Sequence, residues 1–393
     1  MEPIQLRVTV IAVLLAAALI IGIVAERIRI PYSVALLLAA TPLEVKGLQQ
    51  HFVSSLLFIF LPALIFEAAW NVDIRLLWRN WRAVLFMAVP GVGLTAVLVG
   101  LGLSLVNQLP FLQALLLGAI LAATDPVAVI PILKRLNVPH ELATILEGES
   151  LLNDGFAIVL YTSLIAILSF GQRLTGLEFA GKALLVSGGG LLIGFVTAGV
   201  VAFVLRATKD MRLYFVASAV TVYISYLGAE KVHLSGIFAV VSAGIVLRLA
   251  TRFPAESDAN EIGTLWAALA FFANTFVFVL MGIRIDFMRI WHEPELLLAT
   301  IGFVTLARLF LSYVAFPLTK RDAPAAWRHV IFLAGMRGAI SIALALNIPE
   351  NVKFRPQIID ATYGVVLITL VAQGIALGPV LTKLRPSLAP AHA

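Results

Sequence analysis

The segment Glu147-Gly148-Glu149-Ser150-Leu151-Leu152-Asn153-Asp154 puts three carboxylates at the head of a run, Phe156 to Phe170, that is almost wholly apolar. Thr124-Asp125-Pro126 lies about twenty residues upstream, in the middle of another apolar segment. An acidic group at the centre of a membrane helix costs roughly 2.5–3.5 kcal/mol on insertion scales. Such a group is retained where it has a partner or a task. Ser150 and Asp154 are four residues apart and share one helix face, while Glu149 and Asn153 share the adjacent stripe. One stripe offers a carboxylate and a hydroxyl, the other a carboxylate and an amide. Ligands made only of oxygen suit hard cations. Asp154, once desolvated, can hold a proton or a cation but not both, because lost hydration disfavours the bare charge. That competition is enough for exchange: the carboxylate crosses with H⁺ in one direction and with a cation in the other.

The elements that must position these groups follow from composition. The chain has 393 residues, 61% hydrophobic and only 13% charged. Soluble domains average about 25% charged. An all-α polytopic membrane protein is therefore expected, with 1–393 forming a single membrane domain and no soluble C-terminal domain. A spanning helix needs about 20 apolar residues, and about thirteen segments qualify, from 8–25 to 359–382, the second (32–42) being short. The N-terminal run lacks an A-x-A-like cleavage site and reads as a retained first span. With the N-terminus outside and the C-terminus cytoplasmic, about 17 basic loop residues fall on the cytoplasmic side and about 9 outside. The net charge of +6 then reflects cytoplasmic loops beside anionic lipid, not nucleic acid. Cysteine is absent, which excludes disulfide and thiolate chemistry.

Two segments are interrupted. In the fifth, Pro126 removes an N–H, clashes with the Ala122 carbonyl and pushes Asp125 out of helical geometry. Asp125 is then expected to cap a second half-helix whose first residue is Pro126. The freed carbonyls add oxygen ligands, and the C-terminal end of the first half is negative. The twelfth is interrupted by Gly335-Met336-Arg337-Gly338. A spacing of seven segments implies two inverted six-helix repeats: repeat 1 at about 1–170, a linking helix at about 179–206 and repeat 2 at about 212–385. Broken helices at matching places in inverted halves, here crossing at mid-membrane, point to a transporter binding site.

Three further ionisable residues stand out. Glu67, in Phe66-Glu67-Ala68, is a candidate secondary ligand or an interfacial carboxylate. Arg308 and Arg337 lie within apolar segments and each needs a partner, since breaking a buried pair costs about 3–5 kcal/mol. Glu149 suits one of them, and Arg337 could instead neutralise half-helix ends. Glu147, nearest the polar end, is expected to face water.

Together Ala123-Thr124-Asp125-Pro126-Val127-Ala128-Val129, Gly148-Glu149-Ser150-Leu151-Leu152-Asn153-Asp154, Phe66-Glu67-Ala68 and Gly335-Met336-Arg337-Gly338-Ala339 resemble the NhaP-type sodium/proton antiporters, prokaryotic relatives of the animal exchangers. The resemblance covers essentially the whole chain. It implies thirteen helices with interleaved core and dimerisation subdomains, a homodimer, elevator-like movement, and a multi-pass protein of the prokaryotic inner membrane. It implies no cofactor, with Na⁺ or Li⁺ and H⁺ as cargo. By position, Asp154 is the carboxylate that takes cation or proton, and Thr124, Asp125 and Ser150 complete the Na⁺ site. Asn153 also falls in the ion site, where electrogenic relatives carry a second Asp, so electroneutral exchange is implied. Glu67 matches an outer carboxylate, Glu149 the partner of Arg308, and Arg337 the arginine of the second broken helix. Unlike many relatives, the sequence is expected to lack a C-terminal cytoplasmic extension, so regulation through such a domain is not expected.

Other readings fit less well. A K⁺/H⁺ antiporter of the same fold would carry similar motifs. A cation channel would want a carbonyl filter sequence such as TVGYG, and none is present. His140-Glu141 begins a zinc-protease motif that fails at Thr144, and His233 and Ser235 do not face each other on a helix. An aspartyl protease could pair Asp125 with Asp154 but leaves the neighbouring Ser, Asn and Arg without a purpose.

Overall fold

The computed structural model describes residues 3–28, 31–41, 50–125, 129–171, 176–251, 256–284, 289 and 292–388. They form helices and short connections, with no strand among them. Hydrocarbon offers backbone amides no water, so a spanning chain must satisfy them within each helix.

In chain order the helices are α1 (Pro3–Ile28), α2 (Tyr32–Ala40), α3 (Gln50–Asn71), α4 (Ile74–Arg79), α5 (Trp81–Leu105), α6 (Phe111–Ala122), α7 (Ile130–Arg135), α8 (His140–Phe170) and α9 (Gly176–Leu205). They continue as α10 (Met211–Lys231), α11 (Gly236–Ala250), α12 (Glu256–Arg284), α13 (Pro294–Phe310), α14 (Phe316–Thr319), α15 (Ala326–Leu333), α16 (Ala339–Leu346) and α17 (Arg355–Leu384). Seven stretches of the described residues are long and apolar enough to cross a membrane: those of α5, α8, α9, α10, α12, α13 with its continuation to Thr319, and α17. Shorter apolar helices include α6, α11 and residues 59–71 of α3. Each apolar segment of the sequence coincides with a helix, or with a pair at the fifth, eleventh and twelfth.

Both expected breaks are present, with one difference in detail. α6 stops at Ala122 and Ala123 is extended (φ −60°, ψ 133°). The second half, α7, begins at Ile130 rather than at Pro126, and its N-cap is Val129, not Asp125. Pro126 itself lies outside the described residues. The backbone N–H of Asp125 is used elsewhere: it donates to the Met336 carbonyl at 2.9 Å, joining the first break to the second. In the second break, α15 ends at Leu333 and α16 starts after Gly338. A π-helical turn, Leu311–Ala315, joins α13 to α14. Such turns often mark functional positions, and Arg308 lies in the last turn before it.

Two clusters of buried apolar side chains flank these breaks. One gathers α5, α6, α8 and α13 to α17, with α2 and the C-terminal part of α12. The other gathers α3, α9, α10, α11 and the N-terminal part of α12, joined by Leu151 of α8. Within the second, α9 meets α11 at Gly190 and Gly194, where a Cβ would overlap the carbonyl oxygens of Ser235 and Ala239. Small residues one turn apart let helix backbones approach this closely. At one end of the first cluster, Lys320 Nζ donates to Asn80 Oδ1 (2.7 Å) and Glu141 Oε1 (2.8 Å), tying the loop after α14 to the starts of α5 and α8.

Candidate ion-binding site

The uninterrupted helix α8 carries the acidic motif past the first break. Ser150 Oγ donates to the Thr124 carbonyl at 2.5 Å, and Asn153 Nδ2 donates to Thr124 Oγ1 at 2.7 Å. Thr124 is thereby held by two residues of α8, and the non-helical backbone at 123–125 is fixed against a rigid element. Asn153 meets the expected site through Thr124. Its amide is spent on Thr124, and it is not among the residues that line the cavity described next. Asn153 lies on the stripe beside that of Ser150 and Asp154, and both stripes meet the break at Thr124.

A cavity of about 520 Å³ reaches the site, lined by Thr124, Asp125, Ser150 and Asp154 at depth and by Glu67, Lys134 and Glu147. Its walls come from α2, α3, α7, α8, α12 and the start of α16, between the two apolar clusters. Asn71 and Lys134 on its rim are exposed, whereas Asp154 is only 8% exposed. Glu147 does not stand in open water as expected but lines this cavity, half-buried, on the same face of α8 as Ser150 and Asp154. Glu67 lines the cavity, and its Oε1 accepts from Asn71 Nδ2 at 2.8 Å.

The chemistry available is that of hard oxygen. Asp154 Oδ1 is buried and accepts no hydrogen bond from the described residues. A buried carboxylate oxygen left without a hydrogen-bond donor is costly, and a proton or a desolvated monovalent cation would satisfy it. The nearby donor set of Asp125, Ser150 and Thr124 is oxygen throughout. No cluster of three or more His, Cys, Asp or Glu suited to a tightly held metal occurs among the described residues. The site fits a small cation as cargo.

Two buried arginines serve the broken helices. Arg337 Nη1 donates to the carbonyls of Ala122 (3.2 Å) and Ala123 (3.5 Å), at the negative C-terminal end of α6. Arg308 forks onto Glu149, with Nη2 to Oε2 at 3.3 Å and a closer Nη1–Oε1 contact. It also donates from Nε (3.0 Å) and Nη2 (2.6 Å) to the Ile331 carbonyl in the last turn of α15. Each half-helix that ends at a break therefore has an arginine on its terminal carbonyls.

The glycines of the second break have a role beyond interrupting a helix. A Cβ at Gly335 would run into the Arg308 side chain, and one at Gly338 would run into the Asp125 carboxylate. Both positions are bare so that a charged group can pass. Sequence reading missed this, as it missed Ser341, whose Oγ reaches the Ala123 carbonyl at 3.5 Å. The hydrolase-like motifs are structural instead: Ser235 caps α11 by accepting from the Phe238 N–H at 3.3 Å, and Glu141 belongs to the Lys320 cluster.

Residues 14–383 match the family of the transmembrane sodium/hydrogen exchangers. The Na⁺/H⁺ antiporter ApNhaP of Aphanothece halophytica is 34% identical, over 91% of this chain and 70% of its own length. The Na⁺/H⁺ antiporter NhaH of Halobacillus aidingensis is 31% identical, over 95% of this chain and 97% of its own. Among solved structures, the sodium proton antiporter MjNhaP1 of Methanocaldococcus jannaschii superposes with a TM-score of 0.81 at 21% identity, covering 98% of this chain and 99% of that one, a likeness of fold. With two broken helices, a buried carboxylate that keeps one oxygen unpartnered and these relatives, the chain belongs to the sodium/hydrogen exchanger family as an NhaP-type Na⁺/H⁺ antiporter, a multi-pass membrane transporter and not an enzyme.

Proposed function

We propose that this antiporter exchanges one Na⁺ or Li⁺ for one H⁺ at Asp154. The observation that carries the reading is the unpartnered Oδ1 of Asp154, buried at the end of the cavity. An arriving cation displaces the proton from the carboxylate and takes oxygen contacts from Asp154, Ser150, Asp125 and Thr124. The proton leaves through the same cavity. Because the empty carboxylate is a bare buried charge, the loaded forms cross and the empty one does not.

Electroneutral exchange is supported by Asn153, which adds no titrating group and is committed to Thr124. Glu149 is tied to Arg308 and is not free to take an ion. Arg337 keeps the carbonyl ends of α6 from competing with Asp154 for the cation. Glu67 receives ions at the cavity wall.

The two apolar clusters, one centred on α5 to α8 and α13 to α17 and the other on α3 and α9 to α11, support an elevator in which the two bodies slide past each other, with α12 contributing to both. In the thirteen-span, inverted-repeat reading these are core and dimerisation subdomains, and the transporter works as a homodimer in the inner membrane. The exposed rim carries Lys134, next to Arg135 at the basic end of α7, which the positive-inside rule assigns to the cytoplasm. The cavity is then the inward-facing one.

The test is Na⁺- and Li⁺-induced relief of a proton gradient in everted vesicles, with K⁺ run alongside. Asp154→Asn should abolish it at unchanged expression, and robust exchange by that variant would sink the assignment.

A further inference from the structure

A second cavity of about 1470 Å³ adjoins the first. Its walls come from α1, α7, α12 and α17 and are apolar along Leu19, Ile23, Phe272 and Ile375. Pro131 and Ile132 of α7 line both cavities, as do Tyr32 and Phe271. The two rings stack at 4.9 Å, and the Tyr32 hydroxyl meets Thr275 Oγ1 at 3.0 Å. With Pro31, these residues stand between the second space and the ion cavity. Nothing in the exchange reaction needs so large an apolar space.

Polar groups gather at one end of this crevice. Arg135 ends α7, Lys383 lies in the last turn of α17 beside Thr382, and Glu26 lies near the end of α1. The loop assignment puts these three helix ends on the cytoplasmic side. Two cations against one carboxylate leave the mouth positive, and neither Arg135 nor Lys383 forms an ion pair with a described residue. In a bilayer an apolar crevice open to the side fills with acyl chains. A cationic mouth at headgroup level adds attraction for an anionic headgroup, worth about fivefold in binding per basic residue.

We propose that this crevice binds an anionic phospholipid, with its phosphodiester between Arg135 and Lys383 and its acyl chains along α1, α12 and α17. Bound there, the lipid bears on α7 from the side opposite the ion and sets the rate of exchange.

Gly378 supplies a direct probe. It lines the crevice, and a Cβ built on it meets nothing within 4 Å. Gly378→Leu adds bulk to the crevice at a position whose Cβ is unobstructed, and α17 gains helix propensity. The full chain is reconstituted in phosphatidylcholine vesicles with and without phosphatidylglycerol, and retained lipid is read by native mass spectrometry. The wild type should retain phosphatidylglycerol and exchange severalfold faster when it is present. Gly378→Leu and the pair Arg135→Gln/Lys383→Gln should lose both effects and match the wild type in phosphatidylcholine. Retention and stimulation that persist in either variant overturn the proposal, as does a wild type indifferent to phosphatidylglycerol. The mass readout needs no transport, so failure of the antiport reading would show separately as absent exchange in every lipid.

Discussion

Arg308 holds two parts of the protein at once: its Nη2 donates to the Ile331 carbonyl at 2.6 Å while the guanidinium forks onto Glu149. The first contact secures the end of α15 at the second break. The second secures α8, which in turn fixes Thr124 at the first break. One side chain thus ties both breaks to the same frame.

That arrangement predicts strong coupling. Removing one member of a buried pair leaves the other charge uncompensated, at about 3–5 kcal/mol. Glu149→Ala and Arg308→Ala should each lower the unfolding temperature of the detergent-solubilised protein sharply. The paired change Glu149→Leu/Arg308→Met should recover much of the loss. Arg308→Lys should not rescue the single, because an ammonium cannot fork onto a carboxylate and reach a carbonyl together. Strictly additive losses in the double variant would show that the two do not act as a pair.

The two glycines of the second break should separate by phenotype. Gly338→Ala places a methyl against the Asp125 carboxylate, so the ion site is disturbed. Exchange should fall by well over tenfold while the protein remains folded. Gly335→Ala pushes on Arg308, so the main loss should be thermal stability. Vesicle assays and melting curves on both variants check this. Identical losses in both readouts would mean that either glycine serves only to break the helix.

Much of this was legible in the sequence because membrane chemistry makes polar residues conspicuous. Asp125, Asp154, Glu149, Arg308 and Arg337 each stood out as charges in apolar runs, and the two breaks announced themselves through Pro126 and the Gly335–Gly338 pair. What the sequence did not carry was direction. That the Asn153 amide is bonded to Thr124 could not be read, because adjacent stripes of one helix are indistinguishable without a partner. Glu147 looked solvent-facing because a cavity has no sequence signature. Lys320 read as one more cytoplasmic charge, yet it is largely buried against Asn80 and Glu141, a contact between residues far apart in the chain. α7 starts at Ile130 after Val129, and the bond from Asp125 N–H to Met336 joins residues far apart in the chain, which no local capping signal could show.

Electroneutrality gives a third expectation. If Asp154 is the one group that changes protonation as it loads, each turnover moves no net charge. In vesicles with ΔpH fixed and the potential clamped by K⁺ and valinomycin, the rate of Na⁺-driven proton movement should stay constant as the potential is stepped. Marked voltage dependence would mean that a second group, with Asp125 the nearest candidate, titrates in the cycle.

Competition at one carboxylate also fixes how Na⁺ and pH must interact. When the proton occupies Asp154, Na⁺ has to displace it. Below the pH at which the site is half-protonated, each unit of acidification should therefore raise the half-saturating Na⁺ concentration about tenfold. Above that pH the Na⁺ requirement should level off. Ser150→Ala removes a hydroxyl from the cation's surroundings and the bond that holds the Thr124 carbonyl. It should raise the whole Na⁺ curve while leaving the pH of the bend near its wild-type position, since the bend belongs to the proton on Asp154. Initial rates over a grid of Na⁺ and pH in everted vesicles measure both. A Na⁺ requirement that does not change with pH would mean separate sites for the two ions and would overturn the single-carboxylate mechanism.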